Sequence, residues 1–243
     1  MKKGWESTKG FGLIELAIVV TVISFVASGI LVGRHLVRHA QVLAVISQVK
    51  GFQTAINAFK IQYDYLPGDF PLATSYWGDA TENGDGDGII QEIGFSSGNE
   101  GTRAWQHLAL AGILPASFSG SGKQVESVTI PVSKLDGGGF YFRARPKNVL
   151  HSGIDKPFIE WGTCKPGTTV ECDGGIITPE EAQMLDRKMD DGFATSGVVF
   201  GYNGFPEAKY PHCSGNWDTP VGSVDYQMQY KSDRHCRMDF WLF

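Results

Sequence analysis

The stretch from Phe11 to Gly33 constrains this chain more than any other. It is predominantly apolar and holds one charged residue, Glu15. At ~1.5 Å per residue it is long enough to cross a hydrocarbon layer as a helix. A carboxylate inside such a segment is costly, so Glu15 is a functional candidate by default. A short basic leader with Lys2, Lys3 and Lys9 precedes the segment and closes at Gly10. A secretory signal peptide would carry a shorter apolar core followed by a small-residue cleavage site, whereas here the glycine comes first. An uncleaved membrane anchor with a stray glutamate is the plainer alternative.

The helical pattern continues past Gly33. Val42, Val45, Val49, Phe52, Ile56, Phe59 and Tyr63 are spaced 3, 4, 3, 4, 3, 4, one apolar seam of an amphipathic helix. Leu36, Leu43 and Ile46 offer a second strip, and no proline interrupts residues 12 to 66. The helix should end before Pro67, in the run Leu66-Pro67-Gly68-Asp69. From Phe11 to Tyr63 it would measure ~80 Å. Its seam should pack on a globular domain. Arg34, His35, Arg38 and His39 follow the spanning segment and suit the headgroup level better than a pH switch. The chain length of 243 residues fits one anchor and one globular domain. The division expected is a leader at 1–10, a long helix at 11–64 with its membrane segment at 11–33, and a globular domain at 65–243.

The N-terminus resembles those of type IV prepilins and type II secretion pseudopilins, in which Lys-Gly is followed by Phe and a short apolar run to Glu at the fifth mature position. Gly10, Phe11 and Glu15 match that pattern residue by residue. The resemblance implies cleavage after Gly10 by a prepilin peptidase, N-methylation of Phe11, and pairing of Glu15 with a neighbouring subunit's free terminal amine. It further implies a bacterial inner-membrane protein with a single pass. Its C-terminal domain would be periplasmic or carried in an extracellular filament. The expected partners are other pilin or pseudopilin subunits, the inner-membrane assembly platform and membrane lipid. The resemblance extends inward through Tyr65-Leu66-Pro67-Gly68-Asp69, Gly84 to Gly88, Trp105 to Gly112, Thr178 to Gly192, and the closing Cys236-Arg237-Met238-Asp239-Phe240. These blocks, in this order, are similar to those of large bacterial prepilin-type proteins.

Charged residues make up 19% of the chain, aromatics 12%, and there are 31 glycines, which favours a β-rich, loop-rich domain over a helical bundle or a disordered chain. Removing Lys2, Lys3, Lys9 and Glu6 from 21 basic and 26 acidic residues leaves 18 against 25, a net charge of −7. No nucleic-acid partner is expected from that balance. The four cysteines, Cys164, Cys172, Cys213 and Cys236, lie in the second half, on the oxidising side if the leader is cytoplasmic. Three pairings are possible. Cys164–Cys172 would close the Lys165-Pro166-Gly167 loop, and Cys213–Cys236 would tie down the C-terminal strand. Zinc is a weak alternative, because no ligand pair at zinc spacing occurs.

Asn83-Gly84-Asp85-Gly86-Asp87-Gly88-Ile89-Ile90-Gln91-Glu92 alternates oxygen-bearing side chains with glycine. Side chains two apart in a tight loop converge on one cation, and glycine permits the turns. Asn83, Asp85 and Asp87 are candidate calcium ligands, with the Ile89 carbonyl filling a further position. An EF-hand would need glutamate at the twelfth position, which is Gly94. The loop is therefore not an EF-hand, and Glu92 or Glu100 would close it as a pseudopilin-type calcium site. An acidic surface turn is the plain alternative.

Glu100 to Gly112 reads as a short helix burying Ala104, Trp105, Leu108 and Ala111, with His107 a packing or surface residue. Thr178, Pro179 and Glu181 announce another helix through a capping box, with Ala182, Leu185 and Met189 on its apolar face. Asp186, Asp190 and Asp191 crowd its C-terminal end, where negative charge is unfavourable. They call for Arg143, Arg145, a subunit contact or a second cation, unless water alone solvates them. Strands are expected at Val125–Val132, Gly139–Ala144, Pro157–Trp161, Gly197–Tyr202 and Met238–Phe243. The fold class expected is α+β and pilin-like, a long N-terminal helix packed on an antiparallel sheet.

No phosphate-cradling loop or nucleophile elbow occurs, so an enzyme is not expected. The function expected is a structural subunit of a type IV pilus or type II secretion pseudopilus. At 233 mature residues it is large for a bulk subunit, which points to a minor one. The alternative is a membrane-anchored binding module, an adhesin or a DNA-uptake minor pilin, which exposed Tyr76, Trp77 or Trp217 would favour. A surface hydrolase on the same anchor ranks third.

Overall fold

The computed structural model describes residues 12–90, 100–120, 128–135, 137–144, 156–163, 174–204, 213–214, 225–230 and 233–242. The chain divides into two units, Met1–Gln41 and Val42–Phe243. Helix α1, Leu13–Tyr63, supplies the described part of the first unit and the opening of the second.

In the first unit α1 buries none of its most apolar window. Leu13 is 89%, Ile14 74% and Phe25 79% exposed. The helix start is capped locally: the Gly12 N–H donates to Oε2 of Glu15 at 3.0 Å. Gly10 and Phe11 lie outside the described residues.

In the second unit the 3–4 seam is the core. Val42, Val45, Val49, Ile56 and Phe59 are fully buried, and Phe52 and Tyr63 pack against the same cluster. Each fully buried side chain of this size contributes roughly 1.5–3 kcal/mol. Of the second strip only Ile46 is buried, while Leu36 and Leu43 stay exposed. The helix ends as expected before Pro67. Asp64 takes a left-handed φ of 62° and donates its N–H to the Lys60 carbonyl at 2.9 Å.

Helix α2 (Ala73–Trp77) is short, and α3 (Glu100–Leu110) is buried nearly all round. The sheet follows with β1 (Gly138–Ala144), β2 (Pro157–Thr163), β3 (Val199–Asn203) and β4 (Cys236–Trp241). All its pairings are antiparallel, in the order β1-β2-β4-β3. Helix α4 (Pro179–Met189) lies between β2 and β3 in the chain, and its capping box forms as expected: Thr178 accepts from the Glu181 N–H, and Glu181 accepts from that of Thr178. The layout is α+β.

The strand expected at Val125–Val132 does not form among its described residues, 128–132. Pro131 has no N–H to donate to a ladder, and a bridge from Val132 to Gly139 joins this segment to β1. The side-chain amide of Gln48 on α1 completes the segment's bonding. Its Nε2 donates to the Val132 carbonyl at 3.0 Å and its Oε1 accepts from the Lys134 N–H at 2.7 Å.

Both faces of the sheet are buried. Phe140, Phe142, Ile159, Trp161, Met238 and Phe240 share the core cluster with the α1 seam, and Phe52 meets Phe140 edge to face at 5.0 Å. On the other face Phe158, Phe200 and Trp241 form a second cluster. Beside them lies a charged row: Tyr141 pairs across to Glu160, and Glu160 to Asp239. Glu160 is fully buried and bridges Arg143 at 3.2 Å and Arg237 at 2.7 Å. The Arg143 guanidinium lies 4.9 Å from the centre of the Tyr141 ring. Removing Glu160 takes a counter-charge from both arginines at once, which is costly at so buried a site.

Candidate functional site

The acidic loop is built from two chain segments brought together by the end of α1 and the start of α3. Gly68, with φ of 92°, turns the chain so tightly against α3 that a side chain there would strike the Glu100 carbonyl. Asp69 follows, buried at 1% exposure. Its Oδ1 accepts from the Gly86 N–H at 2.6 Å and its Oδ2 from the Gly88 N–H at 2.9 Å. Gly84 donates to the Phe70 carbonyl at 3.0 Å, so the loop runs back alongside residues 69 and 70. A side chain at Gly84 would collide with the Asp69 backbone.

Carboxylate oxygens of Asp69, Asp85 and Asp87 lie within 4.8 Å of one another. Burial raises the Asp69 carboxyl to about 6, partly offset by the bonds from Gly88 and Gly86, with Asp87 and Asp85 adding repulsion. Asp85 and Asp87 also serve the loop itself: each accepts from the N–H two residues on, Asp87 at 3.2 Å and Ile89 at 2.7 Å.

The sequence-derived ligand set is therefore brought together unevenly. Asp85 and Asp87 converge. Asn83 turns its Oδ1 to the Thr74 N–H at 2.8 Å. Glu100 is buried on the first turn of α3, and its Oε1 lies 3.3 Å from the Asp85 N as acceptor. Ile89 joins through its N–H, and Glu92 lies outside the described residues. Sequence reasoning missed Asp69, read only as part of a helix-breaking turn. Nothing in the sequence marks Asp69 beyond its place in the Leu66-Pro67-Gly68-Asp69 turn, because its partners Gly86 and Gly88 lie 17 and 19 residues away.

Helix α3 clamps the loop from beneath through its polar residues. His107 Nδ1 accepts from the Gly68 N–H at 3.0 Å, so its ring proton sits on Nε2, which lies 3.1 Å from Thr81 Oγ1 and 3.3 Å from the Glu82 carbonyl. Burial, with nearby Arg103, lowers the ring to about 4 despite the Glu82 bond. Arg103 pairs with Glu82 at 2.6 Å and donates to the Asn83 carbonyl at 3.0 Å. Gln106 accepts from Thr81 Oγ1 at 2.8 Å and donates to the Ala80 carbonyl at 2.9 Å. Hard oxygen donors from two segments, beside a helix that fixes the backbone between them, suit a divalent cation such as calcium.

Among the described residues the second acidic group, Asp186, Asp190 and Asp191, is held by backbone amides and two hydroxyls. Arg143 pairs with Glu160 instead, and Arg145 lies outside the described residues. Asp186 accepts from Tyr226 Oη at 2.8 Å and from the Gly192 N–H at 3.0 Å, and burial raises it to about 7. Asp190 accepts from the N–H groups of Val198 and Val199, and Asp191 from Phe193 at 2.9 Å and Ser196 Oγ at 2.6 Å. Asp190 thereby covers an edge of β3 that another strand could otherwise join.

Cys213 and Cys236 form a disulfide with Cα atoms 5.0 Å apart, tying β4 to residue 213. Cys164 and Cys172 lie outside the described residues.

These features define an α+β protein with one N-terminal helix long and apolar enough to cross a membrane. No family model, curated protein or solved structure matches the chain.

Proposed function

We propose that the chain is a structural subunit, of the minor kind, in a type IV pilus or type II secretion pseudopilus. Prepilin peptidase removes the leader after Gly10, Phe11 is methylated, and the subunit rests in the inner membrane with its globular domain outside the cytoplasm. The assembly platform then transfers it into the filament, where Glu15 meets a neighbour's terminal amine. The observation that carries this reading is the bare apolar surface of the first unit, none of it buried over its most apolar window. Lipid or the same segment of neighbouring subunits would cover it. From Val42 onward the same helix is buried in its own domain, so that portion serves the fold.

The acidic loop, in this reading, binds calcium through Asp69, Asp85 and Asp87, and the ion holds residues 83–89 against α3. A second reading, a binding module on the same anchor, draws on Tyr76. Its ring is 61% exposed, edge-on to Tyr63 at 5.5 Å and beside half-buried Trp77. Such an aromatic group suits recognition of a partner's surface.

Intact mass of the protein extracted from native membranes tests the main reading. A chain beginning at methylated Phe11 is expected, and a retained leader would sink the family assignment.

A further inference from the structure

The chain is rich in Asn-Gly and Asp-Gly junctions, the dipeptides most prone to spontaneous backbone rearrangement. Five of them lie wholly among the described residues: Asn83-Gly84, Asp85-Gly86, Asp87-Gly88, Asp191-Gly192 and Asn203-Gly204. The chemistry is intramolecular. The glycine amide nitrogen loses its proton and attacks Cγ of the preceding side chain. An N–Cγ bond forms, and water leaves from a protonated aspartate, or ammonia from asparagine, giving a five-membered succinimide. Water then opens the ring at either carbonyl. Opening at Cγ gives aspartate; opening at the α-carbonyl gives isoaspartate, with the chain rerouted through the side chain. Glycine favours the attack because nothing shields its nitrogen.

In this protein the nucleophile is engaged at all five junctions. Gly84 donates to the Phe70 carbonyl at 3.0 Å and Gly204 to the His235 carbonyl at 2.7 Å. The other three donate to buried carboxylates: Gly86 and Gly88 to Asp69, and Gly192 to Asp186. The electrophile is engaged as well. Asp85, Asp87 and Asp191 each accept from the N–H two residues on, and Asn203 Oδ1 accepts from the Cys213 N–H at 2.7 Å. Asn83 Oδ1 accepts from Thr74. A side chain whose oxygen is already hydrogen-bonded must give up that bond before it can rotate into the geometry of attack.

We propose that Asp69 and Asp186 are guard residues that hold Asp85, Asp87 and Asp191 in a latent state, making these three solvent-exposed aspartates isoaspartyl modification sites that react only when their loops open. An amide bonded inside a folded loop reacts only through local opening, so its rate scales with the open fraction.

The test uses the full chain in detergent micelles with chelator present, incubated at neutral pH below its melting temperature. Isoaspartate is counted at each junction by peptide mapping with electron-transfer fragmentation. Native protein should form isoaspartate at Asp85, Asp87 and Asp191 more slowly than the same protein in urea, by about tenfold or more. Asp69→Ala should raise the rate at Asp85 and Asp87 and leave Asp191 at the native rate; Asp186→Ala should do the reverse. Asp69→Asn keeps the shape but has one acceptor oxygen, and should release at least one of the two glycine amides. Equal rates in native and unfolded wild-type chain would overturn the proposal without any variant. So would folded Asp69 variants as slow as wild type, or a rise at all three sites from either variant, which would mean general unfolding.

Discussion

Gly68 donates its amide to Nδ1 of His107 at 3.0 Å, joining the turn after α1 to the middle of α3 across 39 residues of sequence. The bond requires an unprotonated Nδ1. Protonation would break it and leave a charge in a fully buried site with Arg103 nearby.

The acid response of the domain follows from that bond. The His107 ring is lowered from 6.5 to about 4, so the unfolded chain binds its proton more readily than the folded one. The stability it contributes is complete above pH 6.5 and lost as pH falls toward 4, a loss of about 3 kcal/mol. Asp69 has the opposite sign. With its carboxyl raised from 3.8 to about 6, ionised burial costs stability above pH 6, and part is regained on acidification. Asn at position 107 can keep an acceptor near Nδ1 without titrating. Urea midpoints of His107→Asn, measured stepwise from neutral to acid, should fall less steeply than wild type; parallel curves would remove His107 from the acid response.

Calcium should raise the melting temperature of the chain and chelator should lower it. A ligand that binds only the folded loop stabilises by ~2.7 kcal/mol at a hundredfold excess over Kd. Asp87→Ala should abolish the response and leave the Cys213–Cys236 bridge intact. Because protons compete for Asp69, the gain from calcium should shrink as pH falls through about 6. Magnesium should substitute poorly, since it demands a more regular shell. A melting curve indifferent to both chelator and calcium returns the loop to a plain acidic turn.

Glu160→Gln should be among the most damaging single changes in the sheet. It removes the Glu160 charge from the fully buried Arg143 guanidinium and from Arg237 together, at a cost of about 3–5 kcal/mol. The double variant Arg143→Met, Glu160→Leu should recover part of that loss, because an apolar pair removes the desolvation penalties of Arg143 and Glu160 while Arg237, 17% exposed, turns to water. Thermal midpoints of the three proteins decide it. A double variant no better than Glu160→Gln would mean that the charges themselves hold the sheet.

Glu15→Val separates insertion from assembly. The change deletes a costly charge from an apolar segment, so membrane insertion should be unimpaired. It also removes the cap on the Gly12 N–H, worth about 1 kcal/mol at the helix start. If the carboxylate meets a neighbour's amine in the filament, incorporation should fall steeply. Incorporation equal to wild type would refute that role.

The parts of the fold written locally were legible. A 3–4 spacing needs only the residues themselves, and Val42 to Tyr63 carried it through six intervals. Thr178 and Glu181 are three apart, so their capping box could be read directly. Contacts between distant segments could not. Asp69 meets Gly86 and Gly88, partners 17 and 19 residues away, through a geometry that depends on the turn at Gly68. The charged row through Glu160 depends on strand register, which short aromatic strands leave open in the sequence. Val125–Val132 had the composition of a strand, yet in its described part Pro131 offers no N–H to a ladder, and the segment bonds to Ser119, Phe140 and the Gln48 side chain instead. The acid-rich end of α4 was legible as a problem but not in its solution, because most of its partners are backbone amides, which no residue type advertises, and Tyr226 lies 40 residues from Asp186.

The amide of Gln48 sets a rotational datum. Its two bonds to Val132 and Lys134 can both form at only one azimuth of α1 about its own axis. Advancing the helix by one residue turns it by ~100°, which would unseat Val45 and Val49 and carry the amide off its rung. The hydrophobic seam tolerates small rolling motions; a two-pronged polar latch does not. Gln48 thus works as an indexing pin. It fixes the compass bearing of the outward residues Lys50, Thr54 and Ile61, so whatever lies alongside this half of the helix meets the same stripe in every copy of the chain.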